Sequence, residues 1–291
     1  MSPPIDIVIP VYRGEAETRA CIESVLAART RVPHEMLVID DASPEPPLSQ
    51  WLRTRAASAG FTVITHGENR GFVASVNEGM SRHRDRDVVL LNSDTEVADG
   101  WLDRLAACVA SDATIGAASP FSNNATILSY PLPHVANPLP PGETTATLDD
   151  AFATANPGGS AEIPTAVGFC MYIARRSLDR VGYFDEARYG AGYGEEVDFC
   201  MRVARAGLRN VAAADVFVRH HGETSFGDAG AERRNRAQAI VDELYPEFQA
   251  RLRDFLARDP LAEFRRRVDE RRASPMHRVA PLRALSRLLR R

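Results

Sequence analysis

The sequence contains no lysine, so all 35 residues counted as Lys+Arg are arginines. This absence excludes a P-loop, whose lysine contacts the phosphates, and a Schiff-base enzyme, which needs an amine. The positive charge is also uneven. Residues 260–291 hold ten arginines and three acidic residues, a net charge of +7, so the formal −4 of the chain leaves −11 for residues 1–259. The basic character is confined to the tail.

Cysteine is scarce, and long apolar runs and a basic leader are missing. The four cysteines lie far apart inside apolar segments, without the paired spacing of a zinc or redox motif (Cys21, Cys108, Cys170, Cys200). This pattern favours buried thiols in a reducing compartment. The first residues become strand-like at once, and no segment approaches the ~20 apolar residues of a membrane-spanning helix. We therefore expect a cytoplasmic protein that is not integral to a membrane.

The first 110 residues alternate between strand-like and helix-like segments. The 44% of hydrophobic residues suffices for a sizeable core. Four apolar strands, each followed by a helical pattern, are predicted near residues 5–12, 36–39, 61–64 and 88–91. This alternation predicts an α/β fold with a mostly parallel twisted sheet flanked by helices. Right-handed crossovers then place the carboxyl ends of the strands along one edge.

Polar residues gather where these strands end. Asp40 and Asp41 follow the second strand, and Asn92-Ser93-Asp94 follows the fourth, so we expect them to face one crevice. The Gly-x-Gly-x-x-Gly of a dinucleotide-binding turn is missing after the first strand, where only Gly14 occurs. A mononucleotide held by carboxylates and a metal fits better. The alternative is that Asn92-Ser93-Asp94 only forms a turn and caps the next helix.

The second half of the chain adds an irregular segment and further polar clusters. Seven prolines between residues 131 and 164 predict a long loop, either a lid or binding segment or a disordered surface insertion. Glu195-Glu196-Val197-Asp198 opens a helix on which Glu196 and Asp198 point about 200° apart. If Glu196 faces the crevice, Asp198 can pair with Arg202. His220-His221 ends another strand, as metal ligands or as polar surface residues.

Taken together, these segments resemble the inverting glycosyltransferases of family 2, which have the GT-A fold, and within them the bacterial rhamnosyltransferase-like and polysaccharide-assembly members. Eight motifs occur in family order and cover residues 5 to about 226. They are Ile7-Val-Ile-Pro-Val-Tyr-Arg-Gly14, Val38-Ile-Asp-Asp-Ala-Ser-Pro44, Asn69-Arg-Gly-Phe-Val-Ala-Ser-Val-Asn-Glu-Gly79, Leu91-Asn-Ser-Asp-Thr95, Gly168-Phe-Cys-Met171, Phe184-Asp-Glu186, Gly194-Glu-Glu-Val-Asp-Phe-Cys-Met-Arg202 and His220-His-Gly222.

The resemblance implies a donor site for a nucleotide diphosphate sugar. Pro10, Tyr12 and Asp41 would hold the base, and Asn69 and Arg70 would lie near the ribose and phosphates. The segment Asn92-Ser93-Asp94 stands where the family has its Asp-x-Asp motif. Asp94 matches the metal-binding position, and His220 or His221 would be a further ligand to Mg²⁺ or Mn²⁺. Such an ion neutralises the diphosphate leaving group.

The resemblance also implies that Glu196 is the catalytic base. It would deprotonate the acceptor hydroxyl during attack from the face opposite the leaving diphosphate, and we expect the helix N-terminus to keep it ionised. Two positions depart from the family pattern. Asn92 replaces the first acid of the metal motif, and Glu196 is one methylene longer than the usual Asp, which leaves Glu195 as the alternative base.

In this interpretation residues 1–227 form the glycosyltransferase domain. Residues 1–120 would be the nucleotide-sugar-binding half, 121–164 the irregular loop or lid, and 165–227 the acceptor and catalytic half, followed by a helical extension over 228–291. In that extension Val279, Leu282, Leu285 and Leu289 recur at helical spacing among arginines. This amphipathic helix could lie on an anionic inner membrane surface, or it could pack against the domain or a second subunit.

The expected partners are a nucleotide sugar donor and a glycan or lipid-linked glycan acceptor, and not nucleic acid. The predicted pathway is cell-surface polysaccharide biosynthesis. Two rival functions remain open at this stage. A nucleotidyltransferase shares a sheet with acids at its edge but usually needs a lysine-bearing phosphate loop. A catalytically inactive module could keep the nucleotide pocket alone.

Overall fold

The computed structural model describes residues 4–190, 192–222 and 229–273, with the side chains of 229–231 left out. Within these residues the strands are β1 (Ile5–Val11), β2 (His34–Asp40), β3 (Thr62–Thr65), β4 (Val88–Leu91), β5 (Thr95–Glu96), β6 (Ile115–Phe121), β7 (Ser160–Glu162), β8 (Cys170–Ile173), β9 (Arg209–Phe217) and β10 (Arg219–His220). The helices are α1 (Glu15–Ala27), α2 (Pro46–Ala59), α3 (Phe72–Ser81), α4 (Trp101–Ala110), α5 (Thr145–Ala155), α6 (Arg175–Val181), α7 (Glu186–Tyr189), α8 (Glu195–Arg205), α9 (Ala229–Leu244), α10 (Phe248–Arg258) and α11 (Ala262–Ala273).

Eight of the described strands form one twisted sheet in the order β3-β2-β1-β4-β8-β6-β9-β7. The first four strands are parallel to one another, as the alternation predicts. Strand β8 then runs antiparallel between β4 and β6, β9 returns parallel to β6, and β7 is antiparallel to β9. The two remaining strands, β5 and β10, form a separate antiparallel pair. The predicted α/β architecture is confirmed.

The central strands are buried on both faces, which explains their uninterrupted apolar sequence. Every residue of β4 is buried, and its side chains divide between two hydrophobic clusters, Val89 and Leu91 on one face and Val88 and Leu90 on the other. Because β1 lies between β2 and β4, with all three parallel, the ends of β2 and β4 reach the same edge. The segments after Asp40 and after Leu91 therefore lie at one edge, as predicted.

Helix α3 packs against β1 without space for a side chain at Gly79. A Cβ added there would lie 2.4 Å from Cγ1 and 2.9 Å from Cγ2 of Val8, which is fully buried. We expect Gly79→Ala to destabilise the protein by about 1–3 kcal/mol, because overpacking outweighs the better helix propensity of alanine. Urea unfolding measures this. Gly67→Ala is the control, since an added Cβ there meets no atom within 4 Å; equal effects would contradict the prediction.

The segment 121–164, which was predicted as an irregular loop or lid or a disordered insertion, includes regular elements. It contains a 3₁₀ turn at Thr126–Leu128, helix α5 and strand β7. The helix begins at a capping box in which Thr144 and Thr147 exchange hydrogen bonds. Phe152 of α5 is fully buried and packs between Phe121 and Phe217. The prolines of this segment therefore flank core-forming structure.

The described part of the C-terminal extension packs against the domain. Tyr245 and Phe248 join one hydrophobic cluster, and Phe255, Leu261 and Val268 join the other. The predicted amphipathic helix at 279–289 lies outside the described residues, so its membrane and subunit alternatives stay predictions. Within the ranges that the structure describes, no helix combines the length and the apolar character needed to cross a membrane.

Candidate active site

The strand end at residues 92–94 meets the segment after β9, and the contact joins Asp94 to His220. Nε2 of His220 lies 3.4 Å from Oδ1 of Asp94, and both side chains are mostly buried. The backbone fixes this geometry, because β10 pairs with β5 and the N–H of His221 donates to the Asp94 carbonyl at 2.9 Å. The N–H of Gly222 donates to Oδ2 of Asp94 at 3.1 Å. A carboxylate and an imidazole thus meet at the predicted edge.

The other ring nitrogen of His220 is held by the backbone. Nδ1 lies 2.6 Å from the Asn124 carbonyl, an acceptor only, so Nδ1 carries the proton and Nε2 faces Asp94. The side chain of Asn123 accepts from the His220 N–H at 2.9 Å and donates to its carbonyl at 3.0 Å. The Phe169 ring stacks on the imidazole, with 5.2 Å between centroids. A histidine whose second nitrogen donates to a carbonyl is the usual arrangement of a metal ligand.

The Asp94–His220 pair fits a divalent cation. Two neighbouring ligands of an octahedral ion lie roughly 3 Å apart at the distances Mg²⁺ prefers. The separation of 3.4 Å between Oδ1 and Nε2 is close to this value. One carboxylate and one imidazole form a mixed set that suits Mn²⁺ as well as Mg²⁺, with the remaining positions open to other oxygens. The donor chemistry therefore agrees with the predicted metal site.

The charges of the pair are coupled. Burial alone would raise the pKa of Asp94, but the hydrogen bond and charge of His220, with backbone N–H groups, lower it overall. Burial likewise would lower the pKa of His220, but Asp94 raises it. A proton on His220 thus neutralises Asp94 in the way a cation would. Each group therefore favours the charged form of the other.

The two adjacent histidines have different partners. Nε2 of His221 lies 2.7 Å from Oε1 of Glu96, which also accepts from Arg219 at 2.9 Å. His221 therefore faces an ion-paired carboxylate on β5, whereas His220 faces Asp94. Between the two histidines proposed from sequence, the geometry favours His220 as the ligand.

Asn92 and Ser93 form the turn that leads to Asp94. The Asn92 N–H donates to the Phe169 carbonyl at 2.8 Å, and its own carbonyl accepts from the Thr95 hydroxyl at 2.8 Å. Both side chains are half-buried, and neither makes a hydrogen bond within the described part of the chain. The turn predicted as an alternative does exist here, but the predicted capping of the next helix is wrong, because α4 begins at Trp101 with Gly100 at its N-cap. The backbone contacts of the turn leave both side chains available to a ligand.

Asp41 organises the loop that contains Asn69 and Arg70. Its Oδ1 accepts from the Arg70 N–H at 2.8 Å and lies 2.7 Å from Nδ1 of His66, and its Oδ2 accepts from the Gly71 N–H at 2.8 Å. The Asn69 side chain donates to the Asp41 carbonyl at 3.3 Å. The predicted base-binding carboxylate thus already holds a loop in place. It brings Asp41, Asn69 and Arg70 together as expected, with Oδ2 keeping further acceptor capacity.

The guanidinium of Arg70 has a partner within this loop. Nη1 lies 2.7 Å from Oε2 of Glu78, which is also 3.0 Å from Nε2 of His66. Sequence reasoning missed His66 and Glu78. The available signal was the position of His66 directly after β3, at the same edge as the predicted acids. Asn123 and Asn124, which hold His220, were also missed, although they follow the end of β6 in the same way.

Pro10 and Tyr12 lie at the end of β1, and both are half-buried. The guanidinium of Arg13 lies over the Tyr12 ring, 5.3 Å from its centroid. One face of the ring is therefore covered by a cation, so an aromatic base would share the ring with Arg13. The position at the central strand end agrees with the predicted role.

Glu196 stands in the first turn of α8, as predicted. Asp198, on the opposite side of the helix, accepts from Nε of Arg202 at 2.8 Å and from the Tyr245 hydroxyl at 2.6 Å. The predicted pairing of Asp198 with Arg202 is confirmed, and the segment between α9 and α10 is anchored to α8 through Tyr245. Asp198 is thereby engaged in holding the helix, which leaves the two glutamates for chemistry.

Burial is the largest influence on the pKa values of these two glutamates. Burial raises the pKa of Glu196 against the lowering effect of the backbone N–H groups of residues 194, 196 and 197. The backbone N–H groups of the helix start favour the ionised form of Glu196, as expected, but burial outweighs their effect on its pKa. Burial and the charge of Glu196 also raise the pKa of Glu195 well above its usual range. A carboxylate with a raised pKa is the stronger base once it is deprotonated.

Glu195 supplies a stability prediction. It is 5% exposed, and its Oε2 has no hydrogen-bond partner among the described residues. The pKa of Glu195 is higher in the folded than in the unfolded chain, so folding takes up a proton. Its contribution to stability therefore falls as the pH rises from the unfolded pKa to the folded pKa. We expect Glu195→Gln to increase the free energy of unfolding, relative to the unmodified chain, more at pH 8 than at pH 5. Urea titrations at both pH values measure this, and a pH-independent difference would contradict it.

A second cluster of metal-ligating residues lies at the opposite end of β1. Asp6, Glu35 and His83 place ligand atoms within 4.8 Å of one another. Nη1 of Arg86 ion-pairs with both acids at 3.0 Å, and His83 contacts Asp6 at 2.9 Å. The two acids therefore already share a cationic partner in Arg86, and the cluster lies away from the strand ends that form the candidate site.

The family model described as glycosyl transferase family 2 matches residues 6–182, which include the β1–β4 edge and the Asp94 turn. The chain belongs to glycosyl transferase family 2. Among the curated relatives of this family 2 domain are a Sinorhizobium fredii protein named uncharacterized protein y4gI, 24% identical over 253 residues, and the pre-mycofactocin glycosyltransferase of Mycobacterium tuberculosis, 28% identical over 228 residues. These matches cover 83% and 77% of the chain but only 27% and 44% of the relatives' lengths.

Solved glycosyltransferase structures share the fold of this family 2 chain. GalNAc-T7 with UDP, GalNAc and Mn²⁺ matches with a TM-score of 0.62 at 16% identity, covering 92% of this chain and 54% of that one. The Pyrobaculum calidifontis mannosyltransferase PcManGT with GDP-Man and Mn²⁺ matches at 0.57 and 19% identity, covering 99% and 81%. Staphylococcus aureus TarS with UDP-GlcNAc matches at 0.57 and 15% identity, covering 82% and 65%. The predicted GT-A fold is confirmed.

Proposed function

We propose that the protein transfers a sugar, with inversion, from a nucleotide diphosphate sugar to a hydroxyl of a glycan or lipid-linked glycan. The observation that carries the proposal is the contact between Asp94 and His220 at the strand edge, 3.4 Å between Oδ1 and Nε2, with Nδ1 fixed by a backbone carbonyl. Structures of the same fold hold UDP or GDP-Man together with Mn²⁺. These ligands support a nucleotide donor and a divalent ion here.

Each part of the edge has a role in this mechanism. Pro10, Tyr12 and Asp41 receive the base, and Asn69 and Arg70 lie by the ribose and phosphates. Asn92 and Ser93 contribute polar contacts to the donor. Asp94 and His220 would hold a divalent ion, Mg²⁺ or Mn²⁺, which would neutralise the charge of the departing diphosphate.

Glu196 completes the reaction as the general base. It takes the proton of the acceptor hydroxyl while the oxygen attacks the anomeric carbon and the bond to the diphosphate breaks on the opposite face. Its raised pKa makes the ionised carboxylate a stronger base for this step. We place the reaction in the assembly of a cell-surface polysaccharide.

A thermal-shift panel of UDP-, GDP- and dTDP-sugars with and without Mn²⁺ tests the proposal. We expect one base to stabilise the protein, by an amount that grows with Mn²⁺, because a ligand that binds only the folded state raises its stability. Anomeric NMR of the product then tests inversion. Stabilisation independent of metal would contradict the roles of Asp94 and His220. Nucleotide binding without hydrolysis or transfer of any donor would indicate an inactive nucleotide-binding module.

A further inference from the structure

A cleft of about 200 Å³ lies between helix α9 and the turn that leads from α7 to α8. This volume is several times the ~30 Å³ that one water occupies in the liquid. Its walls combine arginines with aromatic and aliphatic side chains: Arg188, Tyr189, Tyr193, Arg233, Arg236 and Ile240. None of the sequence motifs assigns this cleft a function, since α9 lies beyond them.

The cleft has an excess of positive charge. Among the described residues that line it, none carries a carboxylate. Arg188 is neutralised by an ion pair with Asp185 three residues earlier. Arg233 and Arg236, in contrast, are exposed and form no ion pair with any residue that the structure describes. Two guanidinium groups three residues apart on one helix, above an apolar floor, suit an oxyanion attached to a less polar body.

The cleft adjoins the proposed catalytic base. Gly194, immediately before Glu195, has φ +85°, and a Cβ there would lie 3.1 Å from Cβ of Ala237 in the same turns of α9 as the two arginines. Only glycine permits both this backbone conformation and this close approach. The contact fixes the arginine-bearing helix against the turn that carries Glu195 and Glu196.

The same turn faces the donor side of the site. A Cβ at Gly192 would lie 3.7 Å from Cβ of Phe72, two residues after Arg70. At the rim, Nη1 of Arg234 donates to the Tyr193 hydroxyl at 3.2 Å, and its guanidinium lies over the Tyr193 ring. The cleft is therefore bounded by the catalytic turn and by α9, beside the donor loop.

We propose that this cleft binds an anionic group of the acceptor, a phosphate or a carboxylate close to the hydroxyl that is glycosylated. The inference rests on the proposed transfer reaction and names the acceptor class: a sugar phosphate, a lipid-linked phosphate or an acidic sugar. Arg233 and Arg236 hold the oxyanion, and Tyr189 and Ile240 contact the body of the acceptor. The cleft disfavours neutral glycans as acceptors.

The test uses small probes on the full chain. Binding of sn-glycerol 1-phosphate and of D-glucuronate is measured by ligand-observed NMR titration at low ionic strength, with glycerol and D-glucose as neutral counterparts. We expect at least one anionic probe to bind, and R233Q/R236Q to weaken that binding about tenfold or more. The control R84Q/R253Q also removes two exposed arginines without an ion pair in the described chain, away from the cleft. It should bind like the unmodified protein.

Nucleotide binding separates this inference from the proposed function. Affinity for the preferred nucleoside diphosphate with Mn²⁺ is measured on the same variants, with circular dichroism as the check of folding. We expect the nucleotide affinity of R233Q/R236Q to stay within about twofold of that of the unmodified protein. A parallel loss of nucleotide affinity would assign the arginines to the donor and overturn the acceptor site. The acceptor site would also be overturned if neither anionic probe bound, or if probe binding were unchanged in both R233Q/R236Q and R233E/R236E. Absence of nucleotide binding in the unmodified chain would instead contradict the proposed function.

Discussion

Replacing Glu196 by Gln is expected to lower kcat for sugar transfer by about 10²–10⁴-fold, the usual contribution of a general base. The amide keeps the size and hydrogen-bonding capacity of the side chain but cannot accept the acceptor's proton. Donor binding should survive, because the proposed donor contacts lie at the ends of β1, β2 and β4, in the loop after β3 and on β10, and not on α8. Transfer is measured with the donor identified by thermal shift, and donor affinity by titration with Mn²⁺.

The pH profile distinguishes a base from a structural residue. Burial raises the pKa of Glu196, so the rate should fall on acidification at a pH above the ordinary glutamate value of 4.5. The group must be deprotonated to act, so activity is present above its folded pKa and lost below it. In Glu196→Gln the residual rate should lose this acid limb. Glu186→Gln, at an exposed glutamate in α7, is the matched control and should leave both kcat and the profile unchanged.

Two results would reassign the base. If Glu195→Gln rather than Glu196→Gln removed the acid limb, Glu195 would be the base, the alternative that the longer side chain leaves open. If neither substitution changed transfer, the mechanism would be wrong. The charge of Glu196 raises the pKa of Glu195, so a change in the pKa of one is expected when the other is neutralised.

Local patterns predicted the parts of the site that lie next to each other in sequence. The stop of the apolar run at Leu91 located the Asp94 turn, and the 100° helical period separated Glu196 from Asp198. Hydrophobic runs likewise located β1, β2 and β4, because buried parallel strands need no alternation. The parallel edge then followed from chain order alone.

Contacts between distant segments were beyond this reasoning. The distinct partners of His220 and His221 depend on the pairing of β10 with β5, two strands of two residues each that have no readable pattern. Helix α5 was hidden because the prolines around it resemble those of a loop, while its stability comes from Phe152 packing between two other segments. The raised pKa of Glu196 depends on burial that no first-turn rule reports.

The difference between the two histidines leads to the second large effect. His220→Gln is expected to weaken Mn²⁺-dependent nucleotide binding by at least the 10–100-fold that loss of a supporting metal-site residue costs. Nε2 of His220 is the nitrogen beside Asp94, and an amide is a poor substitute for an imidazole in ligating Mn²⁺. Asp94→Asn should lower affinity at least as much, because it removes the only charge of the pair that attracts a cation. Calorimetric titration of nucleotide at several Mn²⁺ concentrations measures both.

His221→Gln is the matched control for this prediction. The two histidines are neighbours in sequence, but His221 faces Glu96 at 2.7 Å, so its loss removes an ion-pair partner and not a proposed ligand. We expect the Mn²⁺-dependent nucleotide affinity of His221→Gln to stay within a few-fold of that of the unmodified protein. Equal losses from His220→Gln and His221→Gln would show that the β10 segment acts as a structural unit, because each histidine then matters through the β5 pairing. A loss confined to His221→Gln would move the ion to Glu96, since that carboxylate is the nearest alternative oxygen ligand on the same strand pair.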